Sequence, residues 1–340
     1  MREETGRHLT HLDGWRGLAV ALVVIGHFGA DSLWYRTSTF GVELFFVLSG
    51  RLMAEILFVR RTDLPSFFIR RFSRVFPALL AFVVVTAIAL DGTPYGYGIM
   101  AAMTALTFTL NYAMLYVHRI PVLDHLWSLC VEEHAYLILA AFAYLARRWG
   151  MPLKPVIATV TIAAVINGVV RADLLGQDFF HVHWRSDVAI AGIFASAIFW
   201  IVLHDRKVSA WVAPTALIAA VVCRIQSPEV VSFGLATTFL ALAITTLDHA
   251  AGALRSALSQ PILRQFGLWS FSIYLWQQPF YKLNHDGVAS TWVLVAGLFA
   301  CALASFYLIE RPARRFINSR SWARPPDASS EVGGSATELR

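Results

Sequence analysis

Charge is scarce in this sequence. Asp, Glu, Lys and Arg make up 15% of its 340 residues, where a soluble domain carries roughly 25%. In their place, apolar runs of about 20 residues recur from Trp15 to Ile309, the length that crosses a hydrocarbon core. That excludes a soluble globular fold. The expected class is all-α, a polytopic transmembrane helix bundle of about ten spans. Cysteine is scarce too. Cys130, Cys223 and Cys301 stand alone in or beside apolar segments, which excludes a disulfide framework and leaves them as small packing residues. No small-residue cleavage site follows the first apolar run, so that run is expected to stay as a signal anchor. No internal repeat and no attached soluble domain are evident. The net charge of +6 does not call for a nucleic-acid partner, because Lys and Arg in a membrane chain collect on the cytoplasmic side.

The spans are read near 15–31, 40–58, 75–91, 126–146, 155–170, 187–203, 210–223, 229–247, 266–282 and 290–310. One further apolar segment, residues 101–117, holds several Thr and an Asn. Suppose that it does not cross and that the N-terminus is cytoplasmic. Of the 28 Lys and Arg, Arg16 and Arg51 then fall within spans, six lie outside (Arg36, Arg119, Arg171, Arg185, Arg224 and Lys282) and 20 lie inside. If the segment crosses, the balance becomes 12 inside against 14 outside and the asymmetry is lost. Residues 92–125 are therefore expected to form an outer or re-entrant excursion, with both termini cytoplasmic. The division is a cytoplasmic segment 1–12, a membrane unit 13–317 and a disordered, Ser/Pro/Gly-rich tail 318–340.

Ionisable residues inside spans are costly and mark function. In HLDGWRGLAVALVVIGHF, residues 11–28, Asp13 suits the helix start. Arg16 and His27 are eleven residues apart, which is three turns and roughly 20°, so they share a face about 16 Å apart along the axis. Glu43 opens the next span on the outer side, near the level of His27. Arg51 and Glu55, at i and i+4, are read as a mutually neutralising pair. In the following connection Arg71 and Arg74 share a helical face beside Arg70, an arrangement suited to phosphates or to anionic lipid headgroups. Glu132 and Glu133 are adjacent on the fourth span and face different directions, so one of them at most is expected in a site. A zinc reading of Glu133, His134, His181 and His183 lacks a recognisable ligand spacing, and no metal is expected. Glu310 and Arg311 close the last span in a structural pairing.

The stretches DGWRGLAVALVVIGHF, GVELFFVLSG, RRFSRVFPAL, LWSLCVEEHAYL, FGLWSFSIYLWQQPF and YLIERPARRF occur in an order that resembles the acyltransferase family 3 membrane proteins. These are bacterial O-acyltransferases of surface polysaccharides and some secondary metabolites. The resemblance runs from Asp13 to Arg315. It implies a multi-pass protein of the inner (plasma) membrane, acyl-CoA, most simply acetyl-CoA, as donor, and a hydroxyl of a sugar-containing acceptor as partner. It places the family's essential Arg and His on Arg16 and His27, its paired arginines on Arg71 and Arg74, and its WSL-x-x-E carboxylate on Glu132. The chain departs from the pattern at Gln277, where relatives often have His, and at Arg51, where they often have an apolar residue.

Acyl transfer needs a base, stabilisation of the oxyanion and a grip on the donor. His27 is the expected base, with Glu132 or Glu43 to hold its tautomer. Arg70, Arg71 and Arg74 are expected at the donor phosphates, and His181, His183 and Trp184 near the acceptor. Ser49 and Ser128 sit in no recognisable nucleophile elbow. A proton-coupled transporter or exporter is the rival reading, and a non-catalytic partner of a glycan-assembly complex is a third. Release of CoA from acetyl-CoA on adding an acceptor would separate them.

Overall fold

The computed structural model describes residues 9–29, 32–226 and 229–319. The expected tail, apart from its first two residues, and residues 1–8 of the N-terminal segment lie outside the described residues. The chain is all-helical, and the described residues contain no strand. In order the helices are α1 (Thr10–Phe28), α2 (Ser32–Ala54), α3 (Leu64–Ala89), α4 (Ile99–Leu106), α5 (Leu110–Tyr116), α6 (Trp127–Trp149), α7 (Leu153–Val169) and α8 (Phe179–His183). Then follow α9 (Ser186–Ala189), α10 (Ala191–Leu203), α11 (Val212–Gln226), α12 (Glu229–Thr246), α13 (Gly252–Leu258), α14 (Pro261–His285), α15 (Thr291–Ser305) and α16 (Arg311–Asn318).

Among the described residues five helices are long and apolar enough to cross a membrane: Leu64–Ala89, Asp124–Trp149, Leu153–Leu174, Ser186–Leu203 and Thr291–Asn318. A sixth is counted if Gly234–His249 and Gly252–Leu258, bent by 103°, form one span. This is a multi-pass membrane protein. The segment 101–117 does not form a continuous helix. Phe108, at φ +57°, breaks it into α4 and α5. At about 1.5 Å per residue, helices of eight and seven residues reach only about 12 and 10 Å, well short of a bilayer core.

Local sequence explains the helix ends. Asp63 caps α3, its carboxylate accepting from the Ser66 N–H at 2.9 Å, with Pro65 in the first turn. Gly150, at φ +68°, ends α6 in the left-handed conformation. Proline opens α14, where its missing N–H costs nothing.

Helix α1 lies between α2 and α14. Trp15, fully buried, donates from Nε1 to the Leu44 carbonyl at 3.0 Å and ties α1 to α2. Against α14 the backbones touch: a Cβ on Gly17 would meet the Leu263 carbonyl oxygen at 1.9 Å, and one on Gly267 would meet that of Asp13 at 1.9 Å. Small residues permit this approach in membranes. Around the central trio, α2 packs on α10 and α12, α3 on α16, and α15 on α14.

A buried polar clamp joins α2 to the region after α12. Arg51, 2% exposed, donates to the Ile244 carbonyl at 2.7 Å and to Asp248, under the Trp200 ring. Asp248 also bonds His11 at 2.7 Å. The expected Arg51–Glu55 pair is therefore corrected. Glu55 bonds Arg60 at 2.6 Å and Trp200 at 3.0 Å. A buried arginine needs the nearest carboxylate its reach allows, and here that carboxylate belongs to another helix.

Candidate active site

Two neighbouring cavities lie inside the bundle. The first, of about 90 Å³, is lined by Arg16, Ser49, Arg71, Arg74, Glu132 and Tyr136 among others. The second, of about 180 Å³, is lined by His27, Arg119, Asp124, Trp184, Gln278 and Lys282 among others. Val42 and Tyr274 stand in both walls. Helix α1 carries Arg16 into the first chamber and His27 into the second, as residues on one face three turns apart can do.

In the cation chamber Arg71 is the best held. Its Nη2 donates to Glu132 Oε2 at 3.0 Å and its Nε to Glu133 Oε1 at 2.7 Å, while its guanidinium lies 4.1 Å from the centroid of the Tyr136 ring. Of the two carboxylates Glu132 alone lines the chamber, and Glu133 reaches the same guanidinium from outside its wall. Adjacent helical residues fan about 100° apart, but a guanidinium presents donors along two edges and bridges the gap. Ser49 donates to Glu132 Oε1 at 2.8 Å, and Tyr136 to Oε2 at 3.2 Å. Arg16 reaches Asp13 at 3.5 Å. Arg74 makes no hydrogen bond or close ion pair among the described residues; it shares the chamber wall with Arg16 and Arg71, and Arg314 and Glu310 act on it electrostatically. The chamber therefore holds more positive than negative charge. Arg70 is exposed and outside it.

In the second chamber His27 Nδ1 lies 2.6 Å from Gln277 Oε1, and its ring stacks on Tyr281 with centroids 4.5 Å apart. The expected carboxylate beside His27 is not there. Glu132 belongs to the cation chamber. Glu43 pairs with Arg224 at 3.4 Å and lines a separate cavity of about 20 Å³ with His183. His183 is buried there, stacked on Phe179 at 4.0 Å. His181 is exposed and bonded to Asp178. Of the three residues expected near the acceptor, Trp184 alone lines the second chamber, beneath the Arg119 guanidinium. His134 bonds Ser186 at 2.6 Å.

Several chamber residues carry no assignment from sequence alone. They are His125, buried against Phe82 and Tyr274 with neither ring nitrogen hydrogen-bonded among the described residues, and the set Asp124, Gln278, Arg119 and Lys282. The available signal was two adjacent amides, Gln277 and Gln278, inside an apolar stretch. Ser128 meets the Tyr274 hydroxyl at 2.6 Å, and Tyr274 donates to the His125 carbonyl at 2.8 Å. Ser49 and Ser128 thus bond a carboxylate and a phenol, and neither bonds a histidine.

Residues 9–311 match the family model described as an acyltransferase domain, Acyl_transf_3. The chain belongs to this acyltransferase family. It is 27% identical to the peptidoglycan O-acetyltransferase OatA of Listeria monocytogenes, over 92% of this chain and 57% of that protein. It is 25% identical to the putative peptidoglycan O-acetyltransferase YrhL of Bacillus subtilis, over 91% of this chain and 55% of that protein. It is likewise 25% identical to the O-acetyltransferase OatA of Staphylococcus aureus, over 91% and 58%. The chain thus spans little more than half the length of these curated relatives. No solved structure matches the acyltransferase.

Proposed function

We propose that this protein is an O-acyltransferase of the inner (plasma) membrane that carries an acetyl group from acetyl-CoA to a hydroxyl of a cell-surface sugar. Peptidoglycan is the first acceptor to test, because relatives along nine-tenths of the chain bear that name. One observation supports the reading: a chamber of guanidinium groups and a chamber holding His27 lie side by side, with Val42 and Tyr274 in the wall they share. A donor with a phosphorylated head and a slender reactive arm suits the first. A hydroxyl acceptor suits the second.

In this reading ten spans leave both termini cytoplasmic. The helices that fall short on apolarity, α1, α2 and α14, carry Arg16, His27, Ser49 and Gln277 of the site together with the structural Glu43 and Arg51, so part of the polarity there reflects the site. The donor phosphates bind Arg71 and Arg74 at the inner mouth. A cavity of about 500 Å³ lined by Arg311, Arg314 and Arg315 takes the nucleotide end. Arg314 acts on Arg74 electrostatically, which links that cavity to the chamber. The pantetheine arm brings the thioester to the neck. His27 Nε2 takes the proton of the acceptor hydroxyl as its oxygen bonds to the thioester carbonyl carbon. The C–S bond then breaks, and the thiolate takes the proton from His27 to leave as CoA. Water is kept away from the thioester by the buried wall around Val42.

The test is reconstitution in liposomes with radiolabelled acetyl-CoA and either peptidoglycan fragments or a neutral polysaccharide on the far side. Label in an acceptor, with one CoA thiol released per acetyl group, is the expected result, abolished by His27→Ala. Undiminished transfer in His27→Ala, or no binding of acetyl-CoA, overturns the reading.

A further inference from the structure

Gln277 and Gln278 are adjacent on α14, 0% and 2% exposed. Their side chains fan to opposite partners: Gln277 to His27 on α1, and Gln278 to the start of the segment leading into α6. From His27 the contacts run Nδ1 to Gln277 Oε1 at 2.6 Å, Gln277 Nε2 to Gln278 Oε1 at 3.2 Å, and Gln278 Nε2 to the Pro121 carbonyl at 3.1 Å and to Asp124. We infer that this pair of amides, anchored on Asp124 and Pro121, sets the tautomer of His27, so that Nδ1 carries the hydrogen and Nε2 the lone pair. The inference rests on the reading of His27 as the base and adds what prepares it.

The polarity is dictated from the far end. The Pro121 carbonyl only accepts hydrogen bonds. Asp124, held by Arg119 at 2.8 Å and Lys282 at 3.4 Å, is a carboxylate and also only accepts. Gln278 must therefore turn its NH₂ to them, and its carbonyl to Gln277. Gln277 must then turn its own NH₂ to Gln278 and its carbonyl to His27. A ring nitrogen facing a carbonyl oxygen must donate, so Nδ1 is protonated. Flipping either amide would set buried acceptor against acceptor, which buried polar groups avoid. Nε2 has no hydrogen-bond partner among the described residues, which leaves its lone pair for an acceptor hydroxyl in the chamber.

The arrangement orients the base as a carboxylate does in a Ser-His-Asp triad, but through two neutral groups. The charge that develops on the ring is met by an amide dipole chain ending on Asp124. Gln277 and Gln278 are thus positioning residues, and Gln278 acts without touching His27.

The experiment is ¹⁵N NMR of the unliganded full chain labelled at histidine, in detergent, with the His27 signals assigned by their loss in His27→Gln, alongside steady-state kinetics. The expected result is the Nδ1–H tautomer in the wild type. Gln278→Met should lose that preference and lower kcat by roughly 10–100-fold, as for a misheld general base, with KM for acetyl-CoA unchanged. Gln277→Met, which removes the acceptor facing Nδ1, should likewise lose the tautomer preference and lower kcat. An Nε2–H tautomer in the wild type, or a tautomer unaltered by Gln278→Met, overturns the inference. The tautomer is read without substrate, so it stands apart from transfer. If it follows the relay while His27→Ala still transfers acetyl, the base role fails and the relay holds.

Discussion

Arg71 donates to Glu132 at 3.0 Å, so the carboxylate paired in expectation with the histidine holds a guanidinium instead. Glu133 grips the same cation at 2.7 Å. Glu132→Gln leaves one anion in place and should act on the donor, raising KM for acetyl-CoA by roughly tenfold, the equivalent of about 1.4 kcal/mol. The double variant Glu132→Gln/Glu133→Gln leaves a buried arginine without a counter-ion. It should lose about 3–5 kcal/mol of stability, read as a lowered melting temperature in detergent.

Arg74 should show effects of opposite sign with and without donor. It shares a chamber wall with Arg16 and Arg71, and the opposing pull of Glu310 is the weaker influence on it, so Arg74→Gln relieves repulsion and should raise the melting temperature of the empty protein. The same variant removes a charged hydrogen-bond donor, worth about 1.5–3 kcal/mol. Calorimetric affinity for CoA should fall by roughly 10–100-fold. Unchanged affinity would mean that this guanidinium meets lipid and not the donor.

Val42 offers a test that tells binding from transfer. It is 8% exposed and stands in both chamber walls. Val42→Trp should fill the neck and lower transfer by roughly 100-fold or more, an effect of about 3 kcal/mol on the barrier, while CoA binding persists. Overpacking should cost about 1–3 kcal/mol of stability. Val42→Ala, which widens the neck, is the control and should keep transferring. Equal loss of binding and transfer in Val42→Trp would place the passage elsewhere.

Asp63 sets the first turn of the helix that carries Arg71 and Arg74. Hydrogen bonds from Ser66, its hydroxyl first and its backbone N–H second, hold this carboxyl below the usual carboxylate range. Its folded value is therefore the lower one. The stabilisation is present above the unfolded carboxylate range near pH 4 and is lost as pH falls through the folded value. Asp63→Ala should cost about 1 kcal/mol at neutral pH, the worth of an N-cap. The gap between variant and wild type should close in acid melts.

The order of the helices, the shared face of Arg16 and His27 and the interrupted segment 101–117 are legible in the sequence, because period, composition and charge balance are local properties. Partner choice is not. His27 and Gln277 are 250 residues apart, and Arg51 and Asp248 are 197 apart. Which polar groups meet inside the bundle depends on the rotation of each helix against its neighbours, and no spacing within one helix encodes it. Glu132 and Glu133 illustrate the limit. Periodicity correctly sends them in different directions, yet the length of an arginine side chain reunites them. The departure at Gln277 was visible. Its meaning needed the carboxylate on another segment.

The glycines between α1 and α14 bear on how firmly the site is held. With Gly17 and Gly267 seated against the opposing main chain, the two helices carry His27 and Gln277 as a single rigid body, and sliding one past the other is blocked by steric contact. Arg71, Arg74, Glu132 and Tyr136, on the other walls of the first chamber, belong to α3 and α6 and not to this spine. The imidazole of His27 and the amide of Gln277 are therefore held in register by main-chain contact between their helices as well as by their own hydrogen bond.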